Sequence, residues 1–251
     1  MRRKMVRQLV TLTLCCAGLG AGLPVQSKEP DWGLYQQLLT EYVSPHQSQG
    51  IDLSWLDYSG LTADSRFDQL LQQLADFSPQ QLQGRDETLA FYINAYNILA
   101  INVVRSYWPV TSIKQAAPWY RSVWQVDAGK IDGQLISLDA IEHQILRPLG
   151  EPRVHFAIVC ASLSCPDLRD EPYKAGQLQQ QLEHQAGDFI GNPSKGVQVR
   201  ANGVYLSKIF DWFEDDFGGN QALIKRLNGY LESPINRVDG YLDYNWSVNG
   251  G

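Results

Sequence analysis

Apolar residues recur along this chain in two rhythms, one near 3.6 residues and one of two, and the rhythms are interspersed in no fixed order. Residues 31–43 read as a helix, followed by a turn-rich stretch, Ser44 to Gly60, that packs through Trp55, Leu56 and Tyr58. Asp64 or Ser65 can cap a helix whose apolar face is Phe67, Leu70, Leu71 and Leu74. Ser78-Pro79 opens a short turn of helix, with proline at the tolerated first position. Glu87 to Tyr107 is the longest helical segment and is apolar nearly all round, as a helix inside a domain must be. Asn94, Asn97 and Asn102, with Tyr92 and Tyr96, argue against its crossing a membrane. Asn94 and Asn97 share one helical face, and an unpartnered buried amide costs about 1–3 kcal/mol. Loops, water or a ligand must therefore satisfy them.

The second half of the chain mixes both periods. Ser122 to Val126 alternates weakly. Asp132-Gly133 is a hairpin signal between Lys130-Ile131 and Gln134 to Ile136. Ser137 can cap a helix from Leu138 to Arg147, stopped by Pro148 and Gly150. His155 to Cys160 reads as a buried strand, and Gln177 to Ile190 as an amphipathic helix. Asn202-Gly203 turns a second hairpin between Val197–Arg200 and Val204–Leu206. Ser207 caps a helix bearing Ile209, Phe210, Phe213 and Phe217; Gly218-Gly219 breaks it before a helix from Gln221 to Leu231, and Tyr241 to Trp246 closes as a strand. Without a regular strand–helix–strand alternation, the pattern predicts an α+β fold: a central buried helix with surrounding helices packed on a small, mostly antiparallel sheet.

The N-terminus changes the picture of compartment. Arg2, Arg3, Lys4 and Arg7 precede an uncharged run from Leu9 to Leu23, and Val25 and Ser27 fit a cleavage point before Lys28. That is the pattern of a secretory signal peptide over residues 1–27, leaving one globular domain over 28–251 in the periplasm or outside the cell. Cys15 and Cys16 raise a lipoprotein alternative, weakened by Leu14 where a small residue is expected, and a retained anchor is a further one. Four basic and no acidic residues leave with the segment, taking the formal charge from −6 to −10. So acidic a chain repels phosphate backbones, and no Lys/Arg run favours an anionic membrane surface. Nucleic acid and strong membrane binding are not expected; a small molecule or a peptide is.

The chemistry concentrates at Cys160-Ala161-Ser162-Leu163-Ser164-Cys165-Pro166, which carries the only cysteines outside the leader. In an oxidising compartment such a pair defaults to a Cys160–Cys165 disulfide. A nucleophilic thiolate instead needs a base within reach. His155 is the nearest candidate, yet on a continuous strand it faces away from Cys160, which leaves His143 as a rival. Asn94 or Asn97 could orient the imidazole, as an amide does in Cys/His hydrolases. A zinc site of Cys160, Cys165, His155 and His143 has poor spacing, and there is no Gly-rich phosphate loop, so neither metal nor cofactor is expected. His143 mid-helix reads more simply as a core histidine.

Four ordered blocks resemble the domain of unknown function 547 family. They are Phe91-Tyr92-Ile93-Asn94-Ala95-Tyr96-Asn97, the Leu138–Pro148 run, the His155–Pro166 run and Leu206-Ser207-Lys208-Ile209-Phe210-Asp211-Trp212-Phe213. The resemblance spans about Arg85 to Leu231 and implies little about activity. Its occurrence in plant proteins outside any periplasm implies that a disulfide need not be the purpose of the cysteines throughout the family. Two readings follow. The first, favoured by the strand geometry, is a binding or structural module whose Cys160–Cys165 loop borders a polar pocket. The second is a thiol-dependent acyl-transfer or hydrolytic enzyme with a Cys/His/Asn site.

Overall fold

Helix α4, Arg85–Ser106, is the axis around which the rest is arranged, and every side chain from Ile93 to Ile101 along it is buried. The computed structural model describes residues 29–251, so the leader proposed over residues 1–27 lies outside the described residues. α2 (Tyr58–Ala63) and α3 (Ser65–Asp76) pack against α4, and α1 (Gly33–Tyr42) packs against both of them. Asp64 caps α3 by accepting a hydrogen bond from the Arg66 amide. Asp86 and Glu87 sit in the first turn of α4 and Arg105 in its last, each complementing the helix dipole.

Three separate small sheets replace the single one expected. β1 (Val43–Ser48) and β2 (Ile51–Leu56) form an antiparallel hairpin where only turns were read. Its solvent-facing first strand, Val-Ser-Pro-His-Gln-Ser, lacks the apolar alternation that would have announced it. β3 (Asp127–Ile131) and β4 (Gln134–Ser137) pair through the foreseen Asp132-Gly133 turn, whose two residues have φ of 52° and 71°. β5 (Val197–Arg200), β6 (Gly203–Leu206) and β7 (Gly240–Tyr241) form the third sheet, β7 running parallel to β6. Arg200 pairs with Gly203, so Ala201 and Asn202 make that turn, one residue earlier than read. Ser122 to Val126 holds a 3-10 turn, Val123–Gln125, and not a strand. The closing strand shrinks to β7; beyond it Ser247 and Val248 make single bridges to Ser112 and Ser162.

Two further segments depart from expectation, and both matter to the site. Val154–Ala157 is a helical turn, α5, not the start of a strand. Pro152 pre-sets the turn, and the amides of His155 and Phe156 bond back to the Pro152 and Arg153 carbonyls. A short apolar run is ambiguous between the two states, and among the described residues no strand pairs with it. Ala140–Leu146 is a π-helix and not an ordinary α-helix, entered through Ser137, whose Oγ accepts from the Ala140 amide at 3.1 Å. α6 (Leu178–Gly191), α7 (Lys208–Trp212) and α8 (Asn220–Leu227) complete the chain. The buried apolar side chains divide into a large cluster around α4 and a second one around Phe156, Phe189, Phe210 and Phe217.

Candidate active site

Where the two clusters meet, a pocket of about 70 Å³ opens over Cys160, with Cys165, His155, Glu142, Tyr244 and Trp212 among its walls. The backbone under it is held by the buried asparagines. Asn97 Nδ2 donates to the Ala157 carbonyl at 3.0 Å, and its Oδ1 accepts from the Val159 amide at 2.8 Å. That side chain does for this segment what a partner strand would do, which is why the chain can run extended here with its buried backbone groups satisfied. Asn94 clamps Tyr173 in the same two-handed way, at 2.7 and 2.9 Å. Both amides are spent on backbone, so neither is free to orient an imidazole.

Ala161, with φ of 54°, reverses the chain after Cys160 and brings Cys165 back beneath it. No bridge joins the two cysteines in this structure, and their sulfurs lie 2.7 Å apart. The Cys160 amide donates to Cys165 Sγ, also at 2.7 Å. Cys160 Sγ in turn lies 3.2 Å from Ser162 Oγ and 3.1 Å from Tyr244 Oη. Burial alone would push the Cys160 thiol up; hydrogen bonds from Cys165, Ser162 and Tyr244 overcome it and bring it down to about 7. Cys165 moves the other way, raised first by burial, then by its hydrogen bond to Cys160 and by that neighbour's charge. The pair therefore carries one ionisable thiol near neutral pH, at the position that faces the pocket.

Because α5 is helical, His155 does not face away from Cys160 as a strand would require; both line the pocket. The imidazole stacks on Phe213 with ring centres 3.9 Å apart. Its Nε2 lies 2.8 Å from Asp216 Oδ2. Asp216 also receives Arg147 through two hydrogen bonds, at 2.6 and 2.9 Å. Chiefly that guanidinium, helped by His155, holds the Asp216 carboxyl below its ordinary range. An ionised carboxylate only accepts, which assigns the proton to Nε2 and leaves Nδ1 a bare lone pair. Nδ1 is buried and has no hydrogen-bond partner. Burial outweighs the pull of Asp216 and lowers His155 to about 4, so the ring is neutral at physiological pH.

His143, the rival base, is placed elsewhere. Its Nδ1 lies 2.9 Å from Arg147 Nη1 and its Nε2 faces Asp139 at 3.8 Å. It is half-buried behind Arg147 and does not line the Cys160 pocket. Nor do the histidines and cysteines assemble a metal site: among the described residues no group of three or more His, Cys, Asp or Glu is placed to hold an ion. Three functional candidates escaped the sequence. Asp216 belongs to the acidic run Glu214-Asp215-Asp216, whose pattern is that of a solvated face, Tyr244 to the segment Tyr241 to Trp246 expected as a strand, and Glu142 neighbours His143. Glu142 is 5 % exposed, its single hydrogen bond coming from Tyr96 Oη at 3.4 Å. Burial, then the nearby Cys160 charge, raise it to about 7.

Among the described residues no helix is long and apolar enough to cross a membrane. No curated protein and no solved structure matches the chain. The family match covers the α4, π-helix and cysteine-loop blocks and ends before the Leu206–Phe213 block that carries the Phe213 partner of His155. Residues 79–190 match the family described as protein of unknown function, DUF547.

Proposed function

We propose that this is a thiol-dependent hydrolase or acyl transferase in which Cys160 is the nucleophile, His155 the base and Asp216 the group that orients it. The observation that carries this reading is the state of His155. Asp216 fixes its tautomer through Nε2 and leaves Nδ1 without a partner, and His155 lines the same pocket as a thiol lowered to about 7. A nucleophile, a base and an orienting acid from three separate segments are the parts such chemistry needs. Nδ1 accepts the Cys160 thiol proton, and the thiolate attacks a carbonyl carbon, forming a C–S bond. The alcohol or amine departs with the proton from Nδ1. Water, or an acceptor amine or alcohol, then cleaves the thioester and returns the proton to Cys160.

This reverses the preference for a binding module, which rested on a strand the chain does not form. The basic, apolar and small-residue pattern at the N-terminus supports export, so the thiols would work against an oxidising environment. The first test is chemical. Protein recovered from its own cells is alkylated under denaturing conditions and weighed intact; two labels are required, and zero would mean a bridged, inactive pair. The second is catalytic. Hydrolysis of an ester and amide panel should vanish in Cys160→Ala and in His155→Ala, and equal turnover by wild type and Cys160→Ala would overturn the assignment.

A further inference from the structure

Glu142 is a buried carboxylate that the proposed chemistry does not use. Its one hydrogen bond, from Tyr96 Oη, is long at 3.4 Å, and no cation is paired with it. Desolvating a carboxylate without partners is expensive, so a native site that keeps one asks what completes it. Glu142 lines the Cys160 pocket, and the pocket's remaining walls are strongly aromatic: Tyr96, Trp124, Trp212, Phe213, Tyr244 and Trp246. Tyr244 and Trp246 are packed with centroids 4.4 Å apart, and Trp212 stacks on Trp246 at 5.7 Å. No lysine or arginine lines this space. Aromatic faces carry negative potential and attract ammonium groups, most strongly when water is excluded. Outside the pocket lining, Trp246 already takes one such group: Lys114 Nζ lies 3.7 Å from its ring centre.

We infer that Glu142 and these rings form the binding subsite for a small ammonium group, so that the acyl substrate of Cys160 carries a primary or methylated amine close to its reacting carbonyl. The inference rests on the proposed thiol site for the word substrate, but the subsite is a binding claim that stands or falls by itself. A free volume of about 70 Å³ suits a head group of a few heavy atoms and not a ring system. A carboxylate-bearing substrate is disfavoured in the same space, since Glu142 and the ionised Cys160 would both repel it. The groups that set the charge of Glu142 are Cys160 across the pocket, Tyr96 on α4, and Arg147 and Asp139 at the ends of its own π-helix. Cys160 and Asp139 oppose its ionisation and Arg147 favours it.

The probe is methylammonium chloride, titrated into the full-length protein and followed by tryptophan emission, with sodium chloride and sodium acetate at equal ionic strength as controls. Saturable change with methylammonium alone is expected at pH about 8.5, weakening about tenfold by pH about 5.5 as Glu142 is protonated. Glu142→Gln should bind about tenfold more weakly at the higher pH. Cys160→Ser separates the two proposals. It keeps the methylammonium response and moves its pH midpoint down, because the thiolate charge opposing Glu142 is gone, even if Cys160 proves not to be a nucleophile. Equal responses to methylammonium and sodium, saturation by acetate, or an unchanged titration in Glu142→Gln would each overturn the subsite. The pH series on the unaltered protein keeps the test decisive if Glu142→Gln fails to fold.

Discussion

Glu142 and His155 are buried in one pocket and carry opposite pH burdens. Glu142 is raised to about 7 when folded, so the native state binds the extra proton and stability falls as pH rises from the ordinary carboxylate range to about 7. His155 is lowered to about 4, so the unfolded chain binds the extra proton and stability falls as pH drops from about 6.5 to about 4. Each effect is on the order of 3 kcal/mol, and they act over nearly the same interval with opposite sign. The unaltered protein should therefore show a nearly flat melting temperature between pH about 4.5 and about 6.5. Single variants should unmask the slopes: Glu142→Gln becomes more stable with rising pH, and His155→Phe less stable. Thermal denaturation across that range reads both, and parallel curves would refute the burial argument. Asn97 acts at the same scale through hydrogen bonds. Asn97→Ala strands the Ala157 carbonyl and the Val159 amide, both buried, and should cost about 3 kcal/mol in urea unfolding. Asn97→Asp keeps the acceptor for Val159 but loses the donor, and should fall between.

At the scale of elements, the sequence is legible wherever local chemistry decides the outcome. The Asp132-Gly133 turn, the Asp64 and Ser207 caps and the all-round apolar face of α4 are dictated within a few residues, and each stands where the pattern puts it. The site is less legible because its decisive elements depend on distant partners. Val154 to Cys160 is apolar enough for a strand, but what settles its form is Asn97, some sixty positions away, taking the backbone groups a ladder would need. Cys160 and His155 could be singled out by residue type, whereas Asp216 could not, because nothing local distinguishes it from Asp215. The π-helix is similarly hidden. Such wide turns occur mostly where a helix presents something functional, and this one points Glu142 at Tyr96 and the pocket. Its entry rests on Ser137, which predicts that Ser137→Ala costs about 1 kcal/mol of stability. If the π-helix holds Glu142 in place, the same variant weakens methylammonium binding while leaving the Cys160 alkylation rate unchanged; loss of both would mean that the whole pocket had loosened.

For the whole molecule, the cysteine loop is secured by the end of the chain. Ser247 and Asn245 carbonyls accept from the Leu163 and Ser164 amides, and the Asn249 amide donates to the Ala161 carbonyl. The same strap reaches the first hairpin, where the Asn249 carbonyl accepts from Leu56 and Asn249 Oδ1 from Tyr58 Oη at 3.1 Å. Gly250 passes so close to the Leu56 carbonyl and the Tyr58 ring that any side chain there would collide with them. The strap thus couples three distant regions: the hairpin, the α4 core and the thiol loop. Its effect on the site is to keep Cys165 buried beneath a partly exposed Cys160, although both line the pocket. Removing Ser247 to Gly251, or introducing Gly250→Val, should lower the melting temperature. It should also make Cys165 alkylate under native conditions, where the intact protein labels at Cys160 alone. Peptide mapping after a short iodoacetamide pulse distinguishes the two sulfurs. With the loop released, the sulfurs lose the contact that lowers Cys160, so Cys160 reactivity at neutral pH should fall even as its access increases. A rise in Cys160 labelling would instead mean that burial, and not the hydrogen bonds around its sulfur, governs that thiol.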